Sequence, residues 1–93
     1  MPRMMTMRLE LEKAFRKRSK KLFKKNPLLQ KACEQVLLKL SSDPFDPALH
    51  THALAGGLKG KYACSLTYEL RIIFKLYPDT VHLLDIGTHD EVY

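Results

Sequence analysis

The spacing of the hydrophobic residues changes near residue 61, and this change limits most strongly what the chain can fold into. In two segments before it, apolar residues recur at helical spacing, which predicts amphipathic helices. In three segments after it, at 62–66, 70–76 and 81–86, β-branched and aromatic residues alternate with others, which predicts β-strands. Only short turns separate these strands, so they should form an antiparallel meander.

A helix hairpin is predicted ahead of the meander. The first helix should run from Glu12 to Lys25, and a second should start at Asn26-Pro27, because Asn is a favoured N-cap and Pro fits the first helical position. The apolar stripe of the second helix ends before Ser41 and consists of Leu29, Ala32, Cys33, Val36, Leu37 and Leu40. Alternating apolar residues from Met5 to Leu11 predict a short strand before both helices.

These elements predict one α+β domain over residues 1–93 with the order β-α-α-β-β-β. The helix pair should pack on one face of a mainly antiparallel, twisted sheet and leave the other face open. A long loop is expected at 43–60, where prolines and glycines interrupt the chain and little periodicity remains. Loops of this length are usually functional or disordered, and this one holds His50, His52 and Lys59.

The chain is strongly basic, with 16 Lys and Arg against 10 Asp and Glu and a formal net charge of +6. Such an excess favours a polyanion such as RNA or DNA, or an acidic protein, as the partner. No apolar run approaches the roughly 20 residues of a membrane-spanning helix, and the first residues lack the apolar stretch of a signal peptide. We therefore expect a cytoplasmic protein without a membrane role.

The two cysteines, Cys33 and Cys64, fall in a predicted helix and a predicted strand. Neither has a second Cys or His at metal-ligand spacing, so both are expected to be reduced, buried thiols. The glycines at 56–60 do not form a phosphate-binding loop, because no strand precedes them and the Lys-Ser/Thr pair is missing. We therefore expect neither a metal nor a cofactor.

Four segments in a fixed order carry a resemblance to a known family. They are Lys-Asn-Pro at 25–27, Leu-Ala-Gly-Gly-Leu-Lys-Gly at 54–60, Tyr-Glu-Leu-Arg-Ile-Ile-Phe at 68–74 and Ile-Gly-Thr-His-Asp-Glu-Val-Tyr at 86–93. From Phe15 to Tyr93 the chain resembles the RelE/ParE superfamily of toxins, and within it most closely the YafQ branch. The resemblance implies a RelE-like fold. It also implies the toxin of a type II toxin–antitoxin system, a ribosome-dependent endoribonuclease that cleaves messenger RNA and is neutralised by a cognate antitoxin.

The YafQ branch has a ribonuclease site of five groups, and four of them match this chain. The loop histidine, strand carboxylate, C-terminal histidine and terminal aromatic correspond to His52, Glu69, His89 and Tyr93, with Glu69 in place of the more usual Asp. Ser65 stands where the branch has a strand histidine. Arg71 matches the strand arginine that RelE-like members place near the scissile phosphate. The resemblance therefore places the chain between the two patterns.

RNA can be cleaved without a metal when a base removes the 2′-hydroxyl proton, cations stabilise the charged phosphorane and an acid protonates the leaving oxygen. Histidine titrates near neutrality, so His52 and His89 can take either proton-transfer role, while Glu69 can act as a base or orient a histidine. Arg71 is the best candidate for gripping the phosphate, and Tyr93 can stack on a base of the codon. The direction of proton transfer stays open.

Further residues are candidates for contact with RNA. The predicted RNA-binding residues are Lys59, Lys61, Ser65, Arg16, Lys17, Lys20, Lys21 and Lys24. Those of the first helix are expected to meet ribosomal RNA, against the alternative of a solvated helix face. Arg71 has the alternative of an ion pair with Asp85 or Glu69, and Tyr93 that of packing on the core. His50 and His82 are interpreted as surface residues.

Two other functions stay open at this point. A ParE-like inhibitor of DNA gyrase shares the fold and needs no catalytic histidine, and a catalytically inactive RNA-binding relative would fit Ser65 in place of histidine. The expected partners are a cognate antitoxin, the ribosome with its RNA, and messenger RNA. A toxin–antitoxin hetero-oligomer that binds operator DNA through the antitoxin is a further expectation.

Overall fold

The computed structural model describes residues 6–93. The strands are Arg8–Leu11 (β1), His52–Ala53 (β2), Tyr62–Ser65 (β3), Leu70–Tyr77 (β4) and Thr80–Thr88 (β5). The helices are Lys13–Lys25 (α1), Pro27–Ser42 (α2) and His89–Val92 (α3), and 3-10 turns lie at Pro47–Leu49 and Gly56–Leu58. The predicted α+β order is confirmed, with β2 inside the expected loop and α3 after the meander as additions. Met5, where the predicted first strand began, lies outside the described residues.

The end of α2 differs from the prediction for a reason that the contacts make clear. The helix continues through Ser41 and Ser42, past its predicted stop. Ser41 is buried, its hydroxyl donates to the carbonyl of Met7 at 2.7 Å, and its own carbonyl accepts from the Met7 N–H at 2.8 Å. The last turn of α2 is therefore held against the residue that precedes β1.

The junction between the helices also differs in detail. Asn26 precedes α2 with Pro27 at its first position, as predicted, but its side chain makes no capping hydrogen bond. Its backbone N–H instead donates to the carbonyl of Leu22 at 3.0 Å and closes the end of α1. Asn26 therefore acts at the end of the first helix rather than as a side-chain cap of the second.

The five strands form one sheet in the order β1-β5-β4-β3-β2. β3, β4 and β5 are the predicted antiparallel meander, and β2 adds to it as a two-residue edge strand. β1 pairs with β5 in parallel, with Leu9 opposite Val81. A parallel neighbour requires a crossover, and the stretch of chain that contains α1 and α2 provides it.

One face of the sheet carries the main core. The buried cluster combines residues of α1 and α2 with alternate residues of the strands: Phe15, Cys33, Leu40, Leu49, Cys64, Ile72, Phe74, Val81, Leu83 and Ile86. Both cysteines are free and buried, and burial raises the pKa of Cys33 to about 11 and that of Cys64 to about 12. Their predicted character as buried thiols is confirmed. In the described part of the chain, no helix is long and apolar enough to cross a membrane.

The other face of the sheet is not fully open, which corrects the prediction. Ala63 and Ile73 are opposite each other in the register and are buried, yet neither belongs to the main core cluster. The short helix α3 turns back after β5 and packs on β4 and β5. The last residues of the sequence therefore cover part of this second face, on which the candidate site lies.

Candidate functional site

Alternation along the strands places several predicted site residues on the second face. In the register, His52 is opposite Ala63, and Ser65 is opposite Arg71, which is opposite Gly87. Residues opposite each other in a sheet point to the same side. Ser65 and Arg71 therefore share a face, as contact of Ser65 with RNA beside Arg71 requires, and His52 belongs to the same face.

Tyr93 joins the two candidate histidines into one cluster. Its hydroxyl lies 3.3 Å from Nε2 of His52, and its ring meets the ring of His89 edge to face with centroids 4.2 Å apart. The residues come from β2 and from the two ends of α3, which folds back over the sheet. Tyr93 thus contacts both histidines, and the alternative that it only packs on the core is wrong.

The hydrogen bonds of His52 define which ring nitrogen carries the proton. Nδ1 lies 3.3 Å from the backbone carbonyl of His50, and because a carbonyl can only accept, Nδ1 must donate. In the neutral ring Nε2 is then an acceptor, and the hydroxyl of Tyr93 is its donor. Burial raises the pKa of Tyr93, against the opposing effect of the nearby Arg71 charge, so the hydroxyl keeps its proton near neutral pH.

Arg71 is anchored by the turn between β3 and β4. Its Nη1 atom donates to the carbonyls of Thr67 and Tyr68 at 3.0 Å and of Leu70 at 3.2 Å. These contacts use one of the two terminal nitrogens of the guanidinium. The suggested ion pair with Asp85 is not formed, since the carboxylate of Asp85 lies 3.6 Å from Arg18 instead.

A groove of about 490 Å³ brings several of these residues together. It is lined by Tyr68, Glu69, Arg71, Thr88, His89 and Asp90. Glu69 is exposed at the turn before β4, and His89 is exposed at the start of α3. The groove therefore combines a cation, an imidazole and two carboxylates, of which that of Asp90 lies 3.6 Å from Nδ1 of His89. The pair of His52 and Tyr93 is linked to it through the ring contact of His89.

The other predicted RNA-binding residues lie outside the groove. Lys59 is exposed after the second 3-10 turn, and Lys61 is half-exposed before β3; neither lines the groove. The predicted basic residues of α1 are all exposed: Arg16, Lys17, Lys20, Lys21 and Lys24. Arg16 also donates to the carbonyl of Leu11 at 3.3 Å. The exposed cations of α1 thus form a basic surface that is distinct from the groove lining, in which Arg71 stands beside Glu69 and Asp90.

The two remaining histidines differ from the cluster. His82 lies 2.9 Å from the carboxylate of Glu12, beside the parallel pair of strands. His50 has a left-handed backbone with φ of 52° and contributes its carbonyl to His52. His82 therefore stays outside the candidate site, whereas His50 supports it through its backbone.

Sequence reasoning missed α3 and what holds it. The hydroxyl of Thr88 accepts from the N–H of Glu91 at 3.3 Å, and the Glu91 carboxylate accepts from the N–H of Thr88 at 2.8 Å. This is a reciprocal capping box. The spacing Thr-x-x-Glu at 88–91 is the signal that would have identified the start of this helix.

Residues 7–93 match the model of a protein family described as the bacterial toxin of type II toxin–antitoxin systems, YafQ. A metal-bound toxin from Helicobacter pylori is 30% identical, with a TM-score of 0.79 over 94% of this chain and 99% of that one. YafQ from E. coli strain BL21(DE3) is 20% identical, with a TM-score of 0.71 over 94% and 98%. The YoeB–YefM complex from Staphylococcus aureus is 13% identical, with a TM-score of 0.76 over 89% and 97%.

The comparison with curated proteins gives no match. One of the similar structures is metal-bound. Within residues 6–93, no group of three or more His, Cys, Asp and Glu side chains is placed to hold a metal ion.

Proposed function

Because the chain belongs to the YafQ family of bacterial toxins of type II toxin–antitoxin systems, we propose that it is an endoribonuclease that cleaves messenger RNA on the ribosome. The observation that carries the proposal is the cluster in which Tyr93 contacts both His52 and His89 beside the groove of Arg71. Two imidazoles and a cation are the groups that metal-independent cleavage of RNA needs. The proposed steps use side chains of this chain alone.

The phosphate is proposed to bind at Arg71. Its anchoring by three carbonyls of one turn supports this role, because a donor that is already oriented needs no reorganisation when charge develops in the transition state. A guanidinium also matches the geometry of two phosphate oxygens. Ser65, opposite Arg71 on the same face, can donate a hydroxyl hydrogen bond to the same phosphate.

Proton transfer is proposed for the two histidines. One takes the proton of the 2′-hydroxyl and the other protonates the leaving 5′-oxygen. In its neutral form the His52 ring has an acceptor at Nε2, which suits a base when the 2′-hydroxyl takes the place of the Tyr93 hydroxyl there. The exposed His89 ring can then serve as the acid, and the reverse assignment uses the same groups. Glu69 at the groove can orient His89 or act as an alternative base. Tyr93 holds the two imidazoles in place and offers a ring on which a base of the codon can stack.

The outer face of α1 is the proposed contact with ribosomal RNA. Its lysines are exposed and lie on one helix, where they can meet phosphates without entering the groove. Lys59 and Lys61, in the segment that leads into β3, are proposed to contact messenger RNA. Since the ribosome is the site of action, we place the protein in the cytoplasm.

A cognate antitoxin is the proposed regulator. One of the similar structures is a complex of YoeB with YefM, and the charge of +6 favours an acidic partner segment. Such a segment would neutralise Arg71 or displace α3 from the groove. The resulting hetero-oligomer would bind operator DNA through the antitoxin.

The experiment that tests the function is to incubate the purified chain with ribosomes programmed with a defined messenger RNA and to map the new 5′ ends. We expect new 5′ ends within the ribosome-bound messenger RNA, and their loss in the His89→Ala variant. DNA breakage by gyrase without RNA cleavage would show a ParE-like poison instead. Binding to ribosomes without cleavage would show an inactive relative, consistent with Ser65 in place of histidine.

A further inference from the structure

Arg18 differs from the neighbouring cations of α1. Lys17, Lys20 and Lys21 are exposed, whereas Arg18 is half-buried and points toward β5 and α3. Its Nε atom lies 3.6 Å from the carboxylate of Asp85. Its Nη1 atom is buried and has no hydrogen-bond partner among the described residues. Arg18 is therefore directed toward β5 and α3, unlike the exposed cations of α1.

Gly87 provides the space in which Arg18 approaches α3. A Cβ atom at this position would lie 2.8 Å from Oε1 of Glu91 and 3.0 Å from Nη1 of Arg18. The two charged atoms thus lie within about 6 Å of each other over the same glycine, close enough for opposite charges to attract. Any larger residue at Gly87 would have to displace one of them.

Glu91 connects this contact to the candidate site. The same Oε1 atom accepts from the backbone N–H of Thr88 at 2.8 Å and completes the capping box of α3. The hydrogen bond from Thr88 lowers the pKa of Glu91, and the charge of Arg18 acts in the same direction. The carboxylate is therefore ionised at neutral pH and attracted to Arg18 while it caps the helix.

A helix as short as α3 needs such support. It has four residues, fewer than an isolated helix requires to be stable in water. It nevertheless carries His89 at its start, and Tyr93 follows it directly. The positions of both aromatic rings relative to His52 depend on how this one turn is held.

We propose that Arg18 is a positioning residue. From α1 it attracts the carboxylate of Glu91 across Gly87 and so holds α3 in place. The positions of His89 and Tyr93 in the site then depend on this attraction. The effect on catalysis rests on the proposed function. The effect on the geometry of α3 does not, and it can be measured without any RNA. A change in Arg18 should then affect the chemical step more than the binding of RNA.

The test compares Arg18→Gln with Arg18→Lys and with Lys31→Gln, which removes an exposed cation of α2. We expect Arg18→Gln to lower kcat by about 10- to 100-fold, since small displacements of catalytic groups have effects of this size. KM should change less than kcat, because Arg71 and the exposed cations of α1 keep their contacts to RNA and only the stacking contact of Tyr93 is disturbed. Arg18→Lys should keep most of the wild-type kcat, because it keeps the positive charge. Lys31→Gln should have the kcat and KM of the wild type.

Glu91→Gln is the second variant. It changes an exposed side chain and should leave the fold intact, so the proposal can still be tested if Arg18→Gln does not fold. In the double variant Arg18→Gln/Glu91→Gln, kcat should be no lower than in the less active of the two single variants, since both changes break the same connection. Additive losses would overturn the proposal. So would an increase in KM at constant kcat, which would show that Arg18 contacts RNA.

A structural measurement separates this inference from the proposed function. Nuclear Overhauser contacts between the Tyr93 ring and the His52 and His89 rings should be present in the wild type and lost in Arg18→Gln. If the wild type cleaves no RNA while these contacts behave as expected, the proposed function is wrong and the positioning role stands. Contacts that persist unchanged in Arg18→Gln would overturn the positioning role, whatever the activity.

Discussion

The two faces of the sheet are built from neighbouring residues and yet differ in their role, since one carries the core and the other the candidate site. Cys64 and Ile72 are completely buried under the helices, whereas Ser65 and Arg71, one position away on the same strands, lie on the face with the candidate site. The first face is continuous with the apolar stripes of α1 and α2. The second is assembled from β2, the turn before β4, and α3. Stability and the proposed chemistry therefore depend on alternate positions of one sheet.

The largest effect expected on the site face is that of His89→Ala. Loss of an acid or base should lower RNA cleavage by about 10²- to 10⁴-fold. Because His89 is exposed, the melting temperature should stay close to that of the wild type. His82→Ala is the matched control, since this histidine lies by Glu12 outside the site and should keep wild-type cleavage. Full activity of His89→Ala would remove this residue from the mechanism.

The first face of the sheet, which α1 and α2 cover and which we call the covered face, should respond in the opposite way, with a loss of stability. Phe74 is completely buried, and Phe74→Ala should lower the free energy of unfolding by about 3–5 kcal/mol through lost apolar burial and the cavity that remains. Urea titration followed by circular dichroism measures this. Ser65→Ala on the site face should change the free energy by less than about 0.5 kcal/mol. Equal losses in both variants would mean that the two faces are not energetically distinct.

The covered face is also the part of the molecule that the sequence predicts best. The helical stripes and the alternating strands are local patterns, and Phe15, Cys33, Leu40 and Ile72 are indeed in the core. Their burial follows from periodicity alone, since one face of each element must be apolar. The extra residues of α2 were missed because Ser41 is polar, although its hydroxyl is satisfied by Met7.

The site face was less accessible to such reasoning. β2 has two residues and α3 has four, both too short to show a period. The contact between His52 and Tyr93 joins residues 41 positions apart, and no local pattern indicates it. These residues were identified only through the family resemblance. Arg18 was not, because on the helix it is one cation among many and only its burial against Gly87 distinguishes it.

A smaller effect is expected from the outer face of α1. Reversal of Lys17, Lys20 and Lys21 to Glu should weaken binding to ribosomes and reduce its dependence on salt, because fewer counterions are released. The melting temperature should change little, since these side chains are exposed. Reversal of Lys31 and Lys39 on α2 provides the control. Unchanged ribosome binding would mean that the cations of α1 are only a solvated face.

The smallest effect is expected from Ser65→His, which restores the histidine of the YafQ branch. If His52 and His89 share the proton transfers, the strand histidine is auxiliary, and cleavage by the variant should equal that of the wild type or rise modestly. Ser65 lies opposite Arg71, whose charge already supplies what a protonated histidine would add at this point of the face. The measurement is the rate of cleavage of one messenger RNA by both proteins across neutral pH. A nearly inert wild type that becomes active on this substitution would show instead that the strand histidine is indispensable, and that the cluster around Tyr93 does not suffice.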